Sequence, residues 1–278
     1  MKKLLVILSL LVVNTNASSN EVNQDELCVI SEKLCTTFQD ESTYKYGFKD
    51  NVGNISVPAL YDDIDIRENN ITVRQNGLFG MLDFSGKMII PPKYHLFHQR
   101  DTGENGFIIA ESRYYTIMNK QGEIISPQNH HPIVQYITDD RIIFCQNNTG
   151  AMLCGVIDNQ GKMVIPPIYH KLSALVDLDF YPNPSLLIAY NQNKKAGLLN
   201  LETGELLTPF KYDEIENILD SRIKVSLNGK YGFIDTDGKE AVPIIYDFVK
   251  GFHLGLSLAR KDGSDEEFYI DKTGKRVP

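Results

Sequence analysis

The strongest constraint on this chain is a motif that comes round seven times. Tyr231-Gly232-Phe233-Ile234-Asp235-Thr236-Asp237-Gly238-Lys239 has close copies in Phe79-Gly80-Met81-Leu82-Asp83-Phe84-Ser85-Gly86-Lys87 and Cys154-Gly155-Val156-Ile157-Asp158-Asn159-Gln160-Gly161-Lys162. Aligned on the acidic or amide residue, the series runs Asp50, Asp83, Asn119, Asp158, Asn200, Asp235 and Asp271, at spacings of 33, 36, 39, 42, 35 and 36 residues. A period of that length means one supersecondary unit used repeatedly. Asp at the first turn position, two residues, then Gly is the pattern of a type I turn closed by a left-handed residue, a three-residue hairpin loop whose twist suits its flanking strands. After each turn a short apolar run reaches a proline: Pro58, Pro91, Pro127, Pro166, Pro209, Pro243 and Pro278. Proline cannot donate to a ladder, so it is expected to end that strand at a sheet edge. Three residues on stands Tyr61, Tyr94, His130, Tyr169, Tyr212 or Tyr246. A further strand precedes each hairpin, most plainly Arg222–Leu227 with its Asn228-Gly229 turn. Each unit reads as a three-stranded meander that cannot bury its own face, so neighbours must stack to complete the core.

The motif resembles the WG-repeat (KWG) family, whose core reads Lys-Trp-Gly-Tyr-Ile-Asp, two variable residues, Gly-Lys, an apolar pair, Pro-Pro, one residue, Tyr-Asp. Lys230 to Asp235, Gly238-Lys239, Pro243 and Tyr246-Asp247 match it closely. Phe79-Gly80, Gly86-Lys87, Pro91-Pro92 and Tyr94 follow it, as do Gly161-Lys162, Pro166-Pro167 and Tyr169. The chain has no Trp, and Tyr46, Phe79 and Tyr231 take its place. The third copy (Tyr115-Thr116) and the seventh (Glu267-Phe268) lose the Gly, which points to distorted or capping units. The resemblance implies an all-β tandem array of about seven three-stranded β-meander repeats over residues 44–278, and it carries no catalytic residues to transfer. The expected array is open and superhelical, because propeller blades usually have four strands and the spacing is uneven; propeller-like closure is the alternative.

The chain opens with Lys2-Lys3, an apolar run from Leu4 to Val13 broken only by Ser9, and a small polar exit. These are the parts of a secretory signal peptide, here residues 1–17 with cleavage after Ala17. An apolar run this short cannot cross a hydrocarbon core that takes about 20 residues, so the mature chain is expected to be periplasmic or secreted, without a membrane span. Residues 18–43 then form an N-terminal cap segment. The formal charge of −8 would repel a phosphate backbone, which argues against nucleic acid. The four cysteines, in an oxidising compartment, allow three pairings. Cys145 and Cys154 flank a turn-like stretch that suits a bridge between adjacent strands, which leaves Cys28 with Cys35. That second pair requires a turn, because seven helical residues would hold the two about 10 Å apart.

Candidate sites are few. The residue after the recurring aromatic is Asp62, His95, His131, His170, Asp213 or Asp247. His95, His131 and His170 thus fall at equivalent places in three consecutive copies, either a metal-binding or pH-sensing column or simply turn residues doing what Asp does elsewhere. Asp235-Thr236-Asp237-Gly238 starts like a calcium loop, but the sister turns lack the second carboxylate, so it is read as a turn. Gly255-Leu256-Ser257-Leu258-Ala259 lies in a strand rather than before a helix, the wrong context for a nucleophile elbow. No phosphate loop or dinucleotide fingerprint appears, and no cofactor is expected. Scaffold positions are common to the copies, so recognition is expected where they differ: 96–105, 132–140 and 171–184, with Phe97, Tyr136, Phe180 and Tyr181 as contacts. The reading is an exported, non-catalytic binding or scaffold protein whose partner is a protein or an envelope polymer. The alternatives are an immunity-type inhibitor of a secreted toxin and a hydrolase with an unrecognised site.

Overall fold

The computed structural model describes residues 24–67, 70–99, 107–112, 114–126, 133–138, 140–148, 150–176 and 185–278. The signal peptide, His131, Phe180 and Tyr181 lie outside them. The chain divides into two compact units, one up to Lys93 and one from Tyr94 onward, and both are built from small antiparallel meanders.

In the first unit, helix α1 (Gln24–Ile30) leads into a sheet of β1 (Thr36–Gln39), β2 (Tyr46–Lys49) and β3 (Ile55–Tyr61). A second sheet follows, of β4 (Asp63–Ile66), β5 (Ile71–Gln75), β6 (Leu78–Leu82) and β7 (Met88–Tyr94). The helix stops at Ile30, and the turn after it lets Cys28 bond to Cys35. Leu27 and Leu34 thereby reach the core formed by Phe48, Val57 and Tyr61 of the first sheet with Ile71, Val73 and Leu82 of the second. Strand β1 comes from within residues 18–43, the stretch expected to be a cap, and pairs along its whole length with β2.

The second unit begins with β8 (Leu96–Gln99), β9 (Phe107–Glu111) and β10 (Tyr115–Asn119). The next sheet is β11 (Ile133–Thr138), β12 (Arg141–Asn148), β13 (Ala151–Asp158) and β14 (Met163–Tyr169), and after it come β15 (Lys171–Leu175), β16 (Leu186–Tyr190) and β17 (Ala196–Asn200). Two four-stranded sheets finish the chain: β18 (Glu214–Leu219), β19 (Arg222–Leu227), β20 (Lys230–Ile234) and β21 (Glu240–Tyr246), then β22 (Phe248–Val249), β23 (Leu256–Arg260), β24 (Phe268–Asp271) and β25 (Arg276–Val277). Cores form between sheets consecutive in the chain. Ile188, Leu198 and Tyr212 meet Ile215, Val225 and Ile234 in one, and Phe233, Val242 and Tyr246 meet Phe252, Ala259 and Ile270 in the next. A buried Ile or Phe contributes roughly 1.5–3 kcal/mol, and here neither sheet could gain that alone.

Two expectations are corrected. Four of the seven sheets carry four strands rather than three. The extra strand is the segment directly after the recurring aromatic, which hydrogen-bonds to the otherwise open edge of the second strand, as Ile133–Thr138 does on β12. Sheets β8–β10 and β15–β17 also have this strand, as β8 and β15, but their opposite edge, beside β10 and β17, shrinks to isolated bridges such as Met118 to Ile124 and Leu199 to Leu206. For β1–β3 no strand pairs with the open edge of β1 among the described residues. In four copies the proline also does not end its strand. Pro58, Pro166 and Pro243 sit inside edge strands β3, β14 and β21, at a bulge: Tyr231 pairs with Tyr246 and Phe233 with Val242, so three outer residues arch over Gly232. Sheets β1-β2-β3 and β11–β14 keep the same register. An edge strand can carry proline without losing a bond, and a bulge absorbs the extra residues.

The turns explain the second recurring glycine. At Gly238 φ is +81°, a conformation L side chains rarely adopt. A Cβ there would also lie 2.7 Å from Thr208 Cγ2 and 2.9 Å from the Leu207 carbonyl, both in the outer segment of the preceding meander. The turn of one unit presses on the unit before it.

Candidate interaction surface

The side chains common to the copies are consumed in joints between successive sheets. Asp62 forms an ion pair with Lys45 of the sheet before it and accepts a hydrogen bond from the Gly77 N–H (3.1 Å) in the hairpin of the sheet after it. Asp213 does the same with Lys195 and the Asn228 N–H (2.6 Å), and Asp247 with Lys230 and the Gly263 N–H (2.8 Å). In each, the lysine hydrogen bond and then the backbone amide hold the carboxyl below its usual range. A fourth carboxylate, Asp220, accepts from Lys272 Nζ (2.5 Å) and the Gly255 N–H (2.5 Å), and its pKa is lowered by the same two kinds of bond. At other corners Arg141 reaches Glu202 (3.3 Å) and Arg222 donates to the Lys272 carbonyl (3.2 Å). Tyr246 donates its hydroxyl to the Gly274 carbonyl of the next turn (3.1 Å).

His95 and His170 occupy these corners without the lysine. His95 and His170 donate their backbone N–H to Glu111 and Tyr190 (2.7 and 3.0 Å), as Asp213 and Asp247 do to Ser226 and Arg260 (2.9 Å each). Lysine precedes the first aromatic or its replacement in just the copies that have Asp: Lys45, Lys195 and Lys230, against Leu78, Tyr114 and Leu153 where histidine follows. That paired exchange was legible in the sequence and is the functional signal the reading missed. Among the described residues no three His, Cys, Asp or Glu side chains lie close enough to hold a metal ion. The Asp235 carboxylate accepts the backbone N–H groups of Asp237 (3.0 Å) and Lys239 (2.8 Å), a turn stabilised from within. Ser257 is buried and donates to the Lys250 carbonyl (2.6 Å).

Phe97 and Tyr136 stand in strands rather than on loops. Phe97, in β8, is half-buried with its ring 5.6 Å from that of Tyr94. Tyr136, in β11, packs against the cluster of Ile109, Ile117, Ile142, Phe144 and Ile157. Phe180 and Tyr181, the other two expected contacts, lie outside the described residues.

Because the folded joint carboxyls titrate below their unfolded values, their contribution is complete above the ordinary carboxylate range near about pH 4 and is lost as pH falls through the folded values. The double variant Asp213→Asn/Asp247→Asn is therefore expected to lower the urea midpoint at neutral pH, with the gap from the native chain closing in acid. Parallel curves down to about pH 2 would show that these carboxylates do not hold the sheets.

Comparison with known proteins gives one family. The model of the WG-containing repeat matches residues 46–79, 155–177, 197–231 and 231–264. No curated protein matches the chain. Among solved structures it is similar to BamB from Moraxella catarrhalis (12% identity, 81% of this chain and 79% of that one, TM-score 0.31). It is also similar to Hsv2p of Kluyveromyces lactis (9%, 77% and 82%, 0.34) and to the WD40 beta propeller domain of Doa1 (9%, 77% and 81%, 0.28).

Proposed function

The chain carries WG-containing repeats, and from that premise we propose that it is an exported, non-catalytic binding protein whose partner is another protein. One observation carries the reading: the side chains shared by the copies are spent on contacts within the array. The recurring carboxylates are occupied by lysine and backbone amides, which keeps them ionised and unavailable as general acids. What differs between copies is left to make external contacts, the usual division of labour in repeat proteins. Export is supported by the leader-like N-terminus and by the pairing of all four cysteines into two disulfides. No helix among the described residues is long and apolar enough to cross a membrane.

The test is capture of a protein from an envelope extract on the immobilised chain, followed by purification of that protein and calorimetric titration. A saturable one-to-one complex is expected. Failure of every captured protein to bind once purified, or turnover of ester or glycoside substrates by the chain, would overturn the reading.

A further inference from the structure

The loop between β22 and β23 holds a residue that the fold itself does not favour. His253 and Leu256 exchange both backbone hydrogen bonds (2.9 and 3.1 Å), so Leu254-Gly255 is a two-residue hairpin turn, with φ of 51° and 83°. Such turns need two left-handed residues, and Asn-Gly is the pair that takes them with least strain. This chain follows that rule at Asn76-Gly77 and Asn228-Gly229, with φ of 52° and 79°, then 51° and 74°. Leu254 breaks it, since a leucine in this region is strained. Its side chain is also 86% exposed, the highest value among the large apolar residues described. Strain and an apolar surface in water thus coincide on Leu254, as they do on Tyr44 (φ 57°, 72% exposed), but Leu254 is the more exposed of the two and sits in a two-residue turn.

The turn is nevertheless held rigidly. Phe252, two residues before, is buried with its ring 4.5 Å from that of Phe233. The Gly255 N–H is fixed by Asp220, which Lys272 fixes in turn (2.5 Å each). Ser257 ties the far side of the loop to the Lys250 carbonyl (2.6 Å). A projecting aliphatic side chain on a braced turn is the arrangement of an interface anchor, because little ordering remains to be done on binding. Backbone strain that the surroundings enforce is itself a mark of functional positions.

We propose that Leu254 is a docking knob that enters an apolar pocket on a folded partner protein, with an acidic rim around that pocket. The rim follows from charge. Lys250 is exposed on the same loop, which holds no carboxylate from Lys250 to Leu256, whereas the nearby Asp220 carboxylate is taken up by Lys272 and Gly255, so the loop presents a cation on a chain of net charge −8. The proposal rests on the binding-protein reading above.

The test compares the native chain with Leu254→Asn and Leu254→Met, each immobilised full-length and exposed to an envelope-protein extract. Leu254→Asn relieves the strain, so its thermal midpoint should rise, by about 2–4 °C; a fall would mean that Leu254 serves the fold, which overturns the proposal. One protein should be retained by the native chain and by Leu254→Met but lost with Leu254→Asn, and released at high salt. Purified, it should bind Leu254→Asn about 30-fold more weakly than the native chain. Equal affinity for both would overturn the knob while leaving the binding reading intact. Capture of nothing by any of the three would sink the binding reading itself. A native dimer that becomes a monomer in Leu254→Asn would make the occupant a second copy, again overturning the proposal.

Discussion

Gly232→Ala should destabilise the chain by about 3 kcal/mol, whereas Gly229→Ala, three residues earlier, should cost only about 1 kcal/mol. Sequence alone ranks them the other way, because Gly229 has the left-handed backbone (φ +74°) and Gly232 has no special φ. The difference is space. A Cβ on Gly229 meets nothing within 4 Å, so its cost is backbone strain alone. A Cβ on Gly232 would lie 2.7 Å from the carbonyl oxygens of Val242 and Pro243 and 2.8 Å from Ile244 Cα, all backbone of the bulged strand β21. Backbone cannot rotate away as a side chain can. Nor can the strand swing outward freely, since Val242 and Tyr246 on either side of the bulge are buried in the core shared with the last sheet. Overpacking of this kind costs about 1–3 kcal/mol even where side chains can adjust, and the upper end applies here. Urea unfolding of the two variants decides it; Gly232→Ala as mild as Gly229→Ala would mean that the bulge yields and does not define the repeat.

The same residue shows what could and could not be read beforehand. Asp235, Gly238 and Tyr246 announced themselves because each serves a local need that spacing exposes: a carboxylate for its own turn, a left-handed position, a ring at a fixed distance from the proline. Strands such as Leu96–Gln99 and Ile133–Thr138 did not. They are four to six residues long, and their ladder partners, β9 and β12, come later in the chain, so nothing local marks them. Pro243 was misjudged for a related reason. Missing an N–H bars it from a central strand, but the outer strand of a meander needs no second partner, so the strand runs through it. The Asp213 and Asp247 joints fall between these cases: no single copy reveals them, yet comparing copies shows Lys and Asp present or absent together. Leu254 was invisible to the repeat logic, since only its φ and its exposure set it apart.

Reducing both disulfides is expected to remove about 5 kcal/mol, comparable to the net stability of a whole domain at about 5–15 kcal/mol. Cys145 and Cys154 face each other directly across β12 and β13 and are both buried in the core of their sheet and the next. Closing a loop with a sequence separation of 9 contributes about 2.5–3 kcal/mol by restricting the unfolded chain. Cys28 and Cys35, separated by 7, contribute about 2.5 kcal/mol on the same basis. The consequences differ in kind. The hairpin of β12 and β13 has seven paired positions besides the bonded pair, so the reduced sheet should persist with a lower urea midpoint. Before β1, the secondary structure around Cys28–Cys35 is one short helix and a turn, and that bond fixes Leu27 and Leu34 in the first core. Losing it should release the helix and expose Phe48 and Val57 beneath. Amide exchange at β2 and β3 should then accelerate more than at β12 and β13. Unchanged urea midpoints in reductant, or non-reducing peptide maps that join either of the first two cysteines to either of the last two, would refute the pairing and the ranking together.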